Sequence, residues 1–183
     1  MYPLSVSELN YYGRTESELF NLTSAQATSN HTFQFDPVKS TIAFFIAETI
    51  RKCVIDNDLD NVTYNFLSDE INRLNDSEDC SLFPIEFMVS FAELLGFQPL
   101  VENEGLVFDL DEGIINHSNS RLNRTAEGDH IRLIVALIIG RNVNGFVDRA
   151  VRENALETLM AYYQIHIPRL KKFETYEIVK EIL

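Results

Sequence analysis

Residues 35–54 read FDPVKSTIAFFIAETIRKCV, and this stretch decides the fold class. Asp36 stands where its carboxylate can accept the free amides of a helix start. Pro37 sits at the first helical position, where a missing N–H costs nothing. Ile42, Phe45, Ile46, Ile50, Cys53 and Val54 then recur at helical spacing, which predicts a long core helix ending near Asp56.

Downstream the same periodicity continues. Phe66, Leu67, Ile71 and Leu74 predict a second helix from Asn61 to Leu74. Phe83 to Leu95 (FPIEFMVSFAELL) predicts a third, apolar on most sides and therefore central, with Gly96 as its left-handed stop. Between Phe97 and Asn123 the pattern changes: Leu106, Phe108 and Leu110 alternate, Asp111-Glu112-Gly113 turns, and Ile114 and Ile115 return, as in a small hairpin. The apolar run RLIVALIIG (Arg132 to Gly140) has a length that permits helix or strand; its neighbours favour one helix from Ala126 to Gly140. Phe146 to Gln164 is a further helix, Pro168 ends that unit, and Thr175 is placed to cap a short final helix. Upstream, Leu4, Val6, Leu9, Tyr11 and Tyr12 alternate imperfectly, and Leu19, Phe20 and Leu22 begin a second run beyond Gly13. Ser24 to Phe35 is polar and aperiodic, a connector. The expected fold is mainly α, a helical bundle with a short N-terminal β-hairpin and a small embedded hairpin near 106–115.

The chain has 183 residues, 45% hydrophobic and 23% charged, enough for one core without disulfides or metal. Cys53 and Cys80 are too few for a disulfide framework or a four-thiolate zinc site and read as reduced core residues. No apolar stretch approaches the roughly 20 residues that span a bilayer, and no secretory leader is visible, so the expected compartment is the cytoplasm. Charge divides unevenly. Through Ser120 there are 20 acidic and 5 basic side chains, net −15; from Arg121 onward there are 8 and 10, net +2. Nucleic-acid affinity comes largely from Lys and Arg displacing counterions, so contact with a phosphate backbone is expected from the last third.

Several familiar chemistries are missing or fail on inspection. There is no Walker loop, no dinucleotide fingerprint and no nucleophile elbow. Asp56, Asp58 and Asp60 begin like a calcium loop, but the twelfth position is Leu67 and the turn glycine is Asn61. Asp109, Asp111 and Glu112 read as exposed turn formers rather than an acid–base pair. His31, His117, His130 and His166 are scattered without metal-ligand spacing, and His166 reads as capping or packing a helix end. Nothing in these patterns calls for an enzyme or a cofactor. The basic residues do group: Arg121 and Arg124 in a Ser/Asn-rich loop, Arg149 and Arg152 on one helix face, and Arg169, Lys171 and Lys172 in the last connector.

Four segments carry a resemblance: FDPVKSTIAFFIAETI (Phe35 to Ile50), FMVSFAELLGFQP (Phe87 to Pro99), FDLDEGII (Phe108 to Ile115) and YYQIHIPRLKKFETYEIVKEIL (Tyr162 to Leu183). In this order and spacing they resemble the C-terminal helical part of the bacterial DNA repair protein RecO family, in its Bacteroidetes form. YPLSVSELNYYGRTESELFNLTSAQ (Tyr2 to Gln26) resembles the last two strands of that family's N-terminal oligonucleotide-binding (OB) barrel. The resemblance therefore implies residual barrel strands over 1–24, a linker over 25–35, a helical domain over 36–183, and a truncated form. Zinc-holding members carry four cysteines after the Leu-Gly helix; Phe97 to Ile115 has none here, which implies a metal-free hairpin. By resemblance the protein is a non-catalytic recombination mediator. It binds single- and double-stranded DNA, anneals strands, contacts RecR and the tail of single-stranded DNA-binding protein, and assists RecA loading. DNA contact in this chain is expected at Arg121, Arg124, Arg169, Lys171 and Lys172; the alternative is a protein-interaction module without DNA binding. Relatives capture the tail with a basic residue at the start of the Leu-Gly helix, where this chain reads LFPIEF (Leu82 to Phe87).

Overall fold

The computed structural model describes residues 3–13, 21–28, 35–54, 60–103, 105–117, 123–141, 143 and 147–183. Helix α1 spans Pro37–Cys53, and the Asp36 carboxylate accepts the Val38 and Lys39 amides at its start. Helix α2 runs Asn61–Asp76, started in the same way by Asp60, which accepts the Thr63 amide. Helix α3, Phe83–Leu94, is buried on nearly every side and packs against α1, α2, α4 (Asp129–Ile138) and α5 (Arg149–His166). A helix apolar all round has no face to give to water, so it becomes the axis of the bundle. Phe45 and Ile46 of α1, Phe87 and Phe91 of α3, Ile134 of α4 and Leu159 of α5 meet in one continuous core. Gly96 ends α3 with φ +79, the left-handed stop expected there.

The sheet component is larger than the expected hairpin, and the fold is mixed α/β. Strands β4 (Val107–Asp109) and β5 (Ile114–Asn116) form the antiparallel pair that the alternation predicts. Two more strands join them. β3 (Leu100–Val101) pairs parallel to β5, and β6 (Thr125–Glu127) pairs antiparallel to β4, giving the order β3-β5-β4-β6. Ala126 thus lies in a strand, and α4 begins only at Asp129, after Gly128 at φ +133 breaks the chain direction. A single helix from Ala126 is incorrect because residues 125–127 find their hydrogen bonds on the edge of β4 instead. The sheet also requires close backbone approach. A Cβ on Gly105 would lie 1.7 Å from the Asn116 carbonyl oxygen.

At the front, β1 (Ser7–Tyr12) and β2 (Asn21–Ala27) form an antiparallel hairpin. β2 extends through Ala27, so the polar run from Ser24 is strand before it is connector. Cross-strand partners share a side: Leu9 with Ala25 and Tyr11 with Leu22 on one, Glu8 with Gln26 and Asn10 with Ser24 on the other. Every strand residue except Ser7 is exposed; Leu4, just ahead of β1, packs on the core. Leu19 and Phe20 lie outside the described residues. Among the described residues no helix is long and apolar enough to cross a membrane.

Candidate nucleic-acid interface

The Tyr-Tyr-x-x-His segment of α5 holds the bundle and sheet together. The Tyr163 hydroxyl donates to the Met88 carbonyl of α3 at 2.6 Å, and the Tyr162 hydroxyl donates to the Phe97 carbonyl at 2.6 Å. His166 Nε2 lies 2.9 Å from the Leu110 carbonyl, which fixes the proton on that nitrogen. The Phe97 ring stacks on His166 and meets Tyr163 edge-on. Of the two roles open to His166, packing and hydrogen bonding are what its surroundings provide.

Asp109 is not an exposed turn former. It is 8% exposed, its Oδ1 accepts the Asp111 and Glu112 amides, and its Oδ2 accepts the Asn123 side-chain amide at 2.6 Å. A carboxylate so engaged organises the β4–β5 turn from inside. Asp111 in turn takes the Arg124 guanidinium and the Arg124 backbone amide, the latter at 2.7 Å. That bonding holds the Asp111 carboxyl below its usual range. Among the described residues no group of three or more His, Cys, Asp or Glu side chains is arranged to hold a metal ion, and Phe97 to Ile115 contains no thiolate to do so.

Of the five cations expected at DNA, Arg121 lies outside the described residues and Arg124 is matched by Asp111. The connector that carries the other three meets the end of α1, through contacts 116 and 120 residues apart in sequence. Arg169 donates to the Cys53 carbonyl, at the α1 C-terminus, at 2.9 Å. Lys52 reaches back to the Lys172 carbonyl at 2.7 Å. These two bonds tie the last turn of α1, with its basic residues Arg51 and Lys52, to the connector that carries Arg169, Lys171 and Lys172. The four last carbonyls of a helix carry partial negative charge without intrahelical partners, so a cation there is favoured. Division of charge by chain position hides this grouping, since Arg51 and Lys52 belong to the acidic part. The signal available in sequence was only the basic last turn of α1.

Beneath the corner lies Glu48, 6% exposed. Its carboxylate accepts the Glu174 amide at 2.7 Å, the Thr175 amide at 2.8 Å, the Thr175 hydroxyl at 2.5 Å and the Lys52 ammonium at 2.6 Å. Burial pushes the Glu48 carboxyl up, but the Glu174 amide, Lys52 and Thr175 outweigh it and hold the group at about 2. Helix α6 (Tyr176–Val179) is thus started by Glu48 of α1 and not by the Thr175 side chain, whose hydroxyl is turned to Glu48.

A groove of about 300 Å³ lies between α2, α3 and the end of α4, lined by Glu70, Arg73, Glu86, Val89, Leu137 and Arg141. Arg73 bridges Glu70 and Glu86 and lies 4.0 Å above the Phe83 ring. The start of α3 lacks its own cation, and α2 brings one to it.

The family profile described as "Recombination protein O C terminal" matches residues 34–173. The protein named DNA repair protein RecO from Flavobacterium psychrophilum is 25% identical over 184 residues, covering 98% of this chain and 77% of that protein. Those of Flavobacterium johnsoniae and Phocaeicola vulgatus are 26% and 24% identical, each across 98% of this chain and 77% and 78% of their own lengths. No solved structure matches. With the profile spanning every helix from α1 to α5 and the sheet between them, the chain belongs to the recombination protein O family.

Proposed function

We propose that the chain is a non-catalytic recombination mediator in DNA repair, which binds and anneals DNA, contacts RecR and single-stranded DNA-binding protein, and assists RecA loading. The observation that carries this reading is the family match across residues 34–173, reinforced by relatives named DNA repair protein RecO that match 98% of this chain. Two features support it: the helical domain presents cations where α1 meets the 169–173 connector, and the exposed hairpin, apolar on the side of Leu9, Tyr11 and Leu22, is in keeping with the resemblance to the last strands of an oligonucleotide-binding barrel. A two-stranded ribbon is marginal alone in water, so such a face belongs against further strands. The test is annealing of complementary oligonucleotides coated with single-stranded DNA-binding protein, with and without RecR. Acceleration is expected, and no acceleration under either condition rejects the mediator.

A second reading is favoured by the net −15 of the first 120 residues and by the groove beside Phe83. Here the domain is a protein-interaction module of the repair complex with no DNA binding of its own. Capture of RecR or of the single-stranded DNA-binding protein tail, with no anisotropy change on a labelled oligonucleotide, selects this second reading.

A further inference from the structure

We infer that residues 174–183 form a strap that opens as one unit from a bundle that stays folded, with Glu48 of α1 as its catch. The strap carries α6 and a turn of 3-10 helix over Lys180–Ile182. Neither is long enough to be helical alone, because the first turn of a helix fixes more backbone than its bonds return. What seats them comes from outside. Glu48 accepts the Glu174 and Thr175 amides and the Thr175 hydroxyl. From α5, Glu157 accepts the Tyr176 hydroxyl and Arg149 donates to the Lys180 carbonyl at 2.9 Å. The apolar share is small. Of residues 174–183 only Val179 and Leu183 are buried, while Glu174, Glu177, Ile178 and Glu181 face water. Two buried side chains do not offset the entropy of ordering the whole segment, so its seat depends on charge-assisted bonds spread along it.

The opening stops at Phe173. Leu170 and Phe173 are buried, and the Phe173 ring lies 5.7 Å from that of Phe45. The Lys52 and Arg169 bonds hold 169–172 to the end of α1 without any part of the strap. Beyond Phe173 the segment is tied within itself. The Ile178 and Val179 amides both donate to the Thr175 carbonyl, and Lys180 pairs with Glu177 and lies over the Tyr176 ring. A segment tied in this way, and fixed from outside at its start, middle and end, lets go together. Glu48 keeps Lys52 when the strap leaves, so opening strands no unpaired carboxylate. It bares the Glu48 oxygens and the surface of α1 beneath α6, which the closed chain hides.

The experiment is native-state hydrogen exchange of the full chain, read residue by residue. The Glu174, Thr175, Ile178 and Val179 amides should share one protection factor, at least roughly 100-fold below that of the α3 amides, with little dependence on low urea. The Leu170 amide, bonded to the Ile167 carbonyl, should keep its protection. Two variants separate opening of the strap from unfolding of the bundle. Val179→Ala removes an apolar plug of the strap and should speed exchange at Glu174 and Thr175, which it does not touch, by at least roughly tenfold. Ile134→Val, in the buried face of α4, weakens closed and open forms alike against the unfolded chain. It should speed the α3 amides roughly fivefold and leave the strap amides unchanged. The inference is overturned if the strap amides match α3 in protection and urea dependence, or if Ile134→Val speeds both sets equally. It is overturned too if Val179→Ala speeds only the Ile178 and Val179 amides, since that is fraying of one turn and not release of a unit.

Discussion

Replacing Glu48 by Gln tests whether one buried carboxylate holds the C-terminal helix to α1. Its carboxyl stands at about 2 against an ordinary 4.5 because two amides, a hydroxyl and an ammonium converge on it. That gap corresponds to about 3 kcal/mol of folding stability at neutral pH, at about 1.4 kcal/mol per pKa unit. The folded-state pKa is depressed, so the contribution is fully present above the unfolded pKa near 4.5. It is lost as pH falls through about 2. At pH 3 about 1 kcal/mol of it should survive. Glu48→Gln keeps the shape but turns an amide N–H toward groups that are all donors. Urea denaturation of both proteins at pH 7 and pH 3 should therefore show a difference of about 3 kcal/mol that shrinks to about 1 kcal/mol. A difference that stays constant with pH, or one below about 0.5 kcal/mol at pH 7, would refute the account of Glu48 as an ionised helix start.

Other consequences can be measured on the same material. Gly105→Ala should cost about 2–3 kcal/mol or abolish folding, because its Cβ would meet the Asn116 backbone at 1.7 Å, whereas Gly96→Ala, with nothing within 4 Å, should cost only the left-handed penalty of about 1 kcal/mol; denaturation midpoints that rank the two the other way contradict the sheet packing. Burial pushes the Cys53 thiol up to about 12 and the Cys80 thiol up as well, so a coloured disulfide reagent at pH 8 should react with the native protein far more slowly than with the unfolded chain. Rapid labelling of either cysteine in the native state would show that the core opens there. Tyr163→Phe should cost about 1–2 kcal/mol in the same denaturation assay, since the Met88 carbonyl is left buried without its donor; an unchanged midpoint would mean that water reaches that carbonyl.

The sequence alone determined whatever depends on neighbours in the chain. Asp36-Pro37 announces α1, the spacing of Phe66, Leu67, Ile71 and Leu74 marks α2, the largely apolar FPIEFMVSFAELL identifies the central helix, Gly96 stops it, and the Leu106–Ile115 alternation marks the β4–β5 hairpin. Helix caps, left-handed glycines and apolar periodicity act over one or two turns, so they are written locally. Tertiary structure decided the rest. β3 and β6 are two and three residues long, too short to carry a period, and exist because β5 and β4 offer them edges. Asp109 reads as a surface turn residue until the backbone closes over it. Above all, the basic corner joins Lys52 to Lys172 and Cys53 to Arg169 across more than a hundred residues, and Glu48 reaches Thr175 across 127. A side chain's choice of a distant partner depends on how the bundle brings surfaces together, and no spacing rule along the chain encodes it.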